Sequence, residues 1–451
     1  MTDAGPPRVV GKLGATALVV GSMLGVGILL TPPLVAQAVD STGAFFALWI
    51  AGGVVSLCGA ACYAELGTLL PRGGGDVVFQ RAAFGRSLAA ASGVVVFAVS
   101  FAASIAAMAA ALGTYQVQML LTAAGFRGDL SAQLGALPIT GAAVVGLCVV
   151  AATTAINLLG ARLAAGLQTL LCLVPVITLG GLACASLLGA PVQLPELPPP
   201  RRDATVLSAF LGVYFSYAGW PTVVYIAGEV RRPGRVLGTA TVGGTALVTA
   251  LYLLVGGGLI SAFGLDGLAA LGESGTALAR ALLGPGADTA MAALIGVAIL
   301  ASINGTVLAG ARIAAALAEE GVLPHVLARR SGRGQAPRNA LLAQAMLAGL
   351  YICSGTFTTI LATSGVAMML VGALTITAAL RLRATRRTAT RPFRVPALPL
   401  VAGTYILTGT VVVFGTLAEA AASGSLGVPL AGVAVLVLTW AASATANRRS
   451  D

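Results

Sequence analysis

The chain has 451 residues, 57% of them hydrophobic and 9% charged, and carries a formal net charge of +11. Soluble domains carry about 25% charged residues, so the composition excludes an ordinary soluble domain and points to an all-α polytopic membrane protein. The charge does not point to nucleic acid, because the basic residues fall in short clusters between apolar runs and no aromatic–basic stripe stands apart from them.

Residues 1–12 are polar and contain proline, and the apolar run that follows is too long for a signal core, so this segment is expected to be a cytoplasmic N-terminus. Runs of about 20 apolar residues or more predict about twelve transmembrane helices. The first, 13–38, holds Gly21-Ser22-Met23-Leu24-Gly25-Val26-Gly27-Ile28 and then Thr31-Pro32-Pro33. Three glycines at membrane depth fit two readings. Small residues let membrane helices pack closely, or a broken helix frees backbone groups for a polar solute. The second run, 43–70, carries Glu65 near its cytoplasmic end, where a salt bridge or helix-end bond is expected ahead of proton carriage. Runs at 88–114, with an amphipathic tail, 137–159 and 162–189 follow.

The sixth run, 204–228, is interrupted by Tyr214-Phe215-Ser216-Tyr217-Ala218-Gly219-Trp220-Pro221, where the proline removes a backbone donor and clashes with the preceding turn. Glu229 at its exit is expected to pair with Arg231 and Arg232 in a cytoplasmic gate network. Further runs lie at 236–263, 289–317, 339–355, 358–381, 398–419 and 427–446, with a division at Ser354-Gly355. Ser302 and Asn304 lie deep in the eighth and can bind either solute or a neighbouring helix. Asp288 suits the outer start of that helix, Glu419 an interfacial position, and the only histidine, His325, a solvated loop. The six cysteines all lie in apolar runs and are expected as buried free thiols; Cys58 and Cys62 share a helix face, but no neighbouring His or Cys completes a metal site. No metal or cofactor is expected.

With the N-terminus inside, the outside segments hold only Arg127, Arg201, Arg202 and Arg280 of the 26 basic residues. That asymmetry supports both termini being cytoplasmic and an even number of spans. Spans one and six are both interrupted and lie five apart, an odd number, so a repeated five-span unit has to be inverted. Inverted repeats with paired broken helices are a plan of secondary transporters, which hold solute at the breaks. The expected division is 1–12 cytoplasmic, 13–189 the first five-helix repeat, 204–381 the second and inverted one, 398–446 helices eleven and twelve, and 447–451 the cytoplasmic C-terminus.

Several stretches then carry a family resemblance: the first-span glycine motif, Tyr63-Ala64-Glu65-Leu66 through Pro71-Arg72-Gly73-Gly74-Gly75, Phe215 to Trp220 with Gly228-Glu229-Val230-Arg231-Arg232-Pro233, Asn304 to Pro324, and Arg391-Pro392-Phe393-Arg394. In order and spacing they resemble an amino acid permease of the amino acid–polyamine–organocation superfamily over nearly the whole chain. The resemblance implies a 5+5 inverted-repeat core, alternating access, and a zwitterionic amino acid held by backbone groups. The carboxylate falls to the N–H groups of Gly25, Val26 and Gly27 at a half-helix N-terminus, and the ammonium to carbonyls of Leu24, Phe215, Ser216 and Ala218, with Gly219 in the break. Trp220 or Tyr217 is a candidate gate, and Asn304, Glu65 and Glu229 are accessory candidates. Two positions depart from the family pattern. Val26 stands in the middle of the Gly-Ser-Gly signature, where Ser22 can compensate or bond its own helix. No lysine occupies the fifth span, where Pro175 lies near its place, so an ammonium-based proton switch there is not expected.

The expected function is therefore secondary active transport of neutral or small amino acids across the cytoplasmic membrane. A proton or an exchanged amino acid is the coupling partner, and the surrounding partner is lipid, with no nucleic acid. Transport of cationic amines or polyamines, or amino acid sensing on the same scaffold, is the alternative. An intramembrane enzyme would need a nucleophile–base pair or metal cluster in the spans, and a channel a ring of repeated pore residues; neither pattern is present in the sequence.

Overall fold

Backbone groups inside a bilayer must be satisfied within the protein, and the apolar runs satisfy theirs as helices. The structure is a computed structural model that describes residues 6–25, 27–133, 139–189, 199–330, 336–355, 357–422, 424 and 427–448, and among these no strand occurs. The first run gives α1 (Lys12–Met23) and α2 (Gly27–Ala38), which meet at a bend of 43°. There follow α3 (Thr42–Leu69), the short α4 (Asp76–Phe84), α5 (Arg86–Ala123), α6 (Gly141–Leu158) and α7 (Ala161–Leu187). The interrupted sixth run gives α8 (Val206–Ser216) and the single turn α9 (Thr222–Tyr225). Then come α10 (Pro233–Ala270), α11 (Ser274–Leu283), α12 (Ala287–Glu319), α13 (Arg338–Ser354), α14 (Phe357–Thr385), α15 (Leu398–Ala422) and α16 (Gly427–Arg448).

Eight helices among the described residues are long and apolar enough to cross a membrane, or nine spans with the bent α1–α2 pair counted as one. The division at Ser354-Gly355 falls where α13 stops, with Gly355 left-handed at φ +66°. The third run departs from expectation. Its tail is no separate amphipathic segment but continues as helix to Ala123, through π-helical stretches at Val95–Phe101 and Leu112–Val117. The cysteines also differ in part. All six are free thiols, but Cys148, Cys184 and Cys353 are exposed rather than buried, since they lie on the outward faces of their helices.

The bundle is organised around α1, α10 and α12. Helix α10 packs on α1, α3 and α7, while α1 also meets α7 and α12. Helix α2 lies against α8, and α14 meets α4, α15 and α16. Small residues allow this. A side chain at Gly244 would collide with Val19, one at Gly258 with the backbone of Ala183, and one at Gly52 with Val213.

Candidate functional site

The α1–α2 and α8–α9 junctions lie against each other. Helix α1 ends because Leu24 leaves helical geometry at ψ 86°. Its N–H still reaches Val20 O, and the Gly25 N–H donates to Met23 O, each at 2.9 Å. The other junction turns on Gly219, at φ +117°, where any Cβ would lie 2.4 Å from the Ser22 carbonyl oxygen. Only glycine accepts both conditions. Pro221 then caps α9, where its missing N–H costs nothing. Tyr252 of α10 holds the two breaks together: its hydroxyl is 2.7 Å from Met23 O and 2.9 Å from Ser216 O, and its single proton serves one carbonyl at a time. The Ser302 hydroxyl of α12 lies 3.2 Å from Gly21 O and 3.3 Å from Leu24 O.

The three first-run glycines divide between the two readings. A Cβ at Gly21 would strike Gln168, and one at Gly27 would lie 2.7 Å from the Ser216 Cα, so both make room for neighbouring chain. A Cβ at Gly25 meets nothing closer than the Ser302 hydroxyl at 3.4 Å, because Gly25 borders a cavity.

That cavity has a volume of about 1100 Å³. It is bordered by Ser22, Gly25, Gly27, Phe215, Ser216, Ala218, Gly219 and Trp220 from the expected set, and also by Ser302. Phe215 is about half exposed, whereas Trp220 is buried between Tyr63 and Tyr405, edge-on to both. Ser22 bonds neither its own helix nor another partner among the described residues, its hydroxyl being buried against Gly305. Val26 lies outside the described residues.

Other expected residues stand away from the cavity. The Leu24 side chain is buried. Tyr217 is packed between Trp49 and Tyr252 and donates to Trp49 O. Asn304 joins an amide network, donating to Gln168 Oε1 at 2.7 Å and accepting from Asn157 at 3.0 Å, so it binds neighbouring helices. Gln168 therefore places a neutral amide beside Gly21 at the first break. Glu65 accepts from Arg383 and from the Val395 N–H and pairs with Arg391 at 3.3 Å, a helix-end salt bridge.

Glu229 needs a correction. It does not pair with Arg231 and Arg232, which are exposed; Arg312 of α12 grips it through two hydrogen bonds of 2.9 Å, with Arg330 at 3.9 Å. Sequence proximity is misleading here, because the chain turns at Arg232, which is left-handed at φ 47°, and carries both neighbouring arginines outward.

Sequence reasoning missed the opposite wall. Tyr63, Asp76, Tyr225 and Tyr405 border the cavity, as do Ser100 and Phe101 from the first π-helical stretch of α5. Asp76 accepts hydrogen bonds from Tyr63, Tyr225 and Thr375. A lone aspartate after three glycines, close to a tyrosine-bearing helix end, was the available signal. Among the described residues no cluster of His, Cys, Asp and Glu that could hold a metal occurs.

The sequence matches the family model for amino acid permeases over residues 10–440. The chain belongs to the amino acid permease family. It is thus an integral membrane protein of an amino acid transporter family. Its relatives include the serine/threonine exchanger SteT of Bacillus subtilis (strain 168), 29% identical over 71% of this chain and 70% of the relative. They also include the b(0,+)-type amino acid transporter 1 of Mus musculus, 25% identical over 87% of this chain and 80% of the relative. A third is the cystine/glutamate transporter of Homo sapiens, 25% identical over 86% of this chain and 76% of the relative. These relatives are named as transporters, one of them as an exchanger.

Proposed function

We propose that this permease is a secondary transporter of neutral or small amino acids in the cytoplasmic membrane, working by alternating access. Its frame is twelve spans with a 5+5 inverted repeat over 13–189 and 204–381, both termini cytoplasmic, and the broken first and sixth spans carrying the site. The observation that carries this reading is the single cavity onto which Gly25, Gly27, Ser216 and Gly219 all open. Substrate carboxylate is assigned to the N-terminal turn of α2, whose first N–H groups have no acceptor within the helix. The Gly25 and Val26 N–H groups join it once Gly25 releases Met23 O. Substrate ammonium is assigned to the carbonyls of Ser216 and Ala218.

Cavity chemistry supports the substrate class. The lining includes no arginine or lysine among the described residues, so an acidic side chain finds no counter-charge. A second reading, cationic amines, is favoured by one observation: Asp76 and Glu419 both border the cavity. Against it, Asp76 is already held by three hydroxyls. The name of the Bacillus subtilis relative, an exchanger, supports exchange of amino acids as the operating mode.

Uptake by purified protein in liposomes tests this, with labelled serine, alanine, leucine, arginine, glutamate and cystine. The assay runs with and without internal amino acid and with proton or sodium gradients. Uptake of serine, alanine or leucine stimulated by internal amino acid is expected. Uptake of arginine alone would favour the cationic reading, binding without uptake would favour a sensor, and neither binding nor uptake of any of them would end the proposal.

A further inference from the structure

Asp76 opens α4, between the spans α3 and α5, and is 1% exposed. Tyr63 of α3 and Thr375 of α14 donate to its Oδ1 at 2.5 and 2.7 Å, and Tyr225 of α9 donates to its Oδ2 at 2.6 Å. Gln80 Nε2 donates to Thr375 Oγ1 at 2.8 Å, which orients that hydroxyl so that its own proton points to the carboxylate. Asp76 is also among the residues that border the cavity.

No cation pairs with it among the described residues. Charged groups on the surrounding elements are engaged with one another: Arg312 of α12 with Glu229, Arg383 of α14 with Glu65, Arg81 of α4 with Glu320, and Arg86 of α5 with the Glu320 carbonyl. The remaining titratable groups facing this corner, among the described residues, are the phenols of Tyr63, Tyr225, Tyr405 and Tyr214. An ion without a counter-ion is costly to bury. Burial pushes the Asp76 carboxyl above the ordinary carboxylate range, while the hydroxyls of Tyr225, Tyr63 and Thr375 pull it back. Both protonation states are therefore within reach. The ionised form accepts from all three donors; the neutral form turns one oxygen into a donor, so one of the three bonds is reversed or weakened.

We propose that Asp76 is the proton-binding group of this permease, taking a proton from cavity water on one side of the membrane and returning it to water on the other. Ionised, it clamps α3, α9 and α14 to α4 at one wall of the cavity. Proton uptake converts carboxylate to carboxyl, reverses or weakens one of the three hydroxyl bonds, and so loosens the clamp on α9, the half-helix after the second break. The link to flux rests on the transport reading above; the proton site itself does not.

Infrared difference spectroscopy of the purified full-length protein tests the site without any substrate. The wild type should gain the carbonyl band of a buried protonated carboxyl as pH falls, with a midpoint above the ordinary aspartate value of about 3.9. Asp76→Asn should lack that band. Tyr225→Phe and Thr375→Val each remove a donor to the ionised form and should move the midpoint up by about one to two pH units. They keep the test alive if the asparagine variant does not fold. In liposomes, labelled serine uptake by the wild type should depend on pH, and that dependence should flatten in Asp76→Asn. A band that persists in Asp76→Asn, a midpoint unmoved by both donor variants, or an unchanged pH response overturns the proposal and leaves transport standing. A titrating band with no amino acid moved by the wild type overturns the transport reading and leaves the proton site standing.

Discussion

Gly25, Gly27 and Gly219 sit within one cavity wall, yet they answer different physical demands. Leucine at Gly25 has room at its Cβ and then extends into the cavity, so Gly25→Leu should abolish amino acid binding while leaving the melting temperature nearly unchanged. Scintillation proximity binding and thermal unfolding of the same preparation separate the two effects. Gly27→Ala drives a methyl against the Ser216 backbone and should destabilise by about 1–3 kcal/mol, as overpacking does. Gly219→Ala adds left-handed strain to a collision with the Ser22 carbonyl and should be the least stable of the three. Equal melting temperatures for all three variants would contradict this ordering.

Between elements, the buried charges are paired and the breaks are tied. Arg312 and Glu229 link α12 to the exit of α9 with both groups almost fully buried. Arg312→Met strands the carboxylate and should cost about 3–5 kcal/mol, less whatever Arg330 recovers from 3.9 Å. Adding Glu229→Met should restore most of the loss, because an apolar pair needs no desolvation. A double-mutant cycle on apparent melting temperature checks this, and additive losses would contradict it. Tyr252→Phe removes the hydroxyl that spans both breaks and should cost about 1 kcal/mol.

Across the whole molecule, the uneven distribution of arginine supports the proposed topology. A cysteine at Gly128, placed in a variant lacking the six native thiols, should react with an impermeant maleimide added outside intact cells. One at Thr388, in the arginine-rich segment between α14 and α15, should react only after permeabilisation. Labelling of both from outside would invert the assigned orientation.

Hydropathy and charge, which depend only on local composition, determined that the chain is a helical membrane protein and where most of its long apolar helices lie. Gly25 and Gly219 were legible because a break inside an apolar run is a local event. Partners across the bundle were not. The sequence placed Glu229 beside Arg231, yet the tertiary structure pairs it with Arg312, because a desolvated charge takes the counter-charge that packing brings to it. Tyr252 carried no local signal, and the glycines before Asp76 marked its position but not its partners, since each acts only where several helices converge. Tertiary packing alone set the carboxylate of Asp76 among three hydroxyls with no cation, and that placement makes it a candidate to exchange protons.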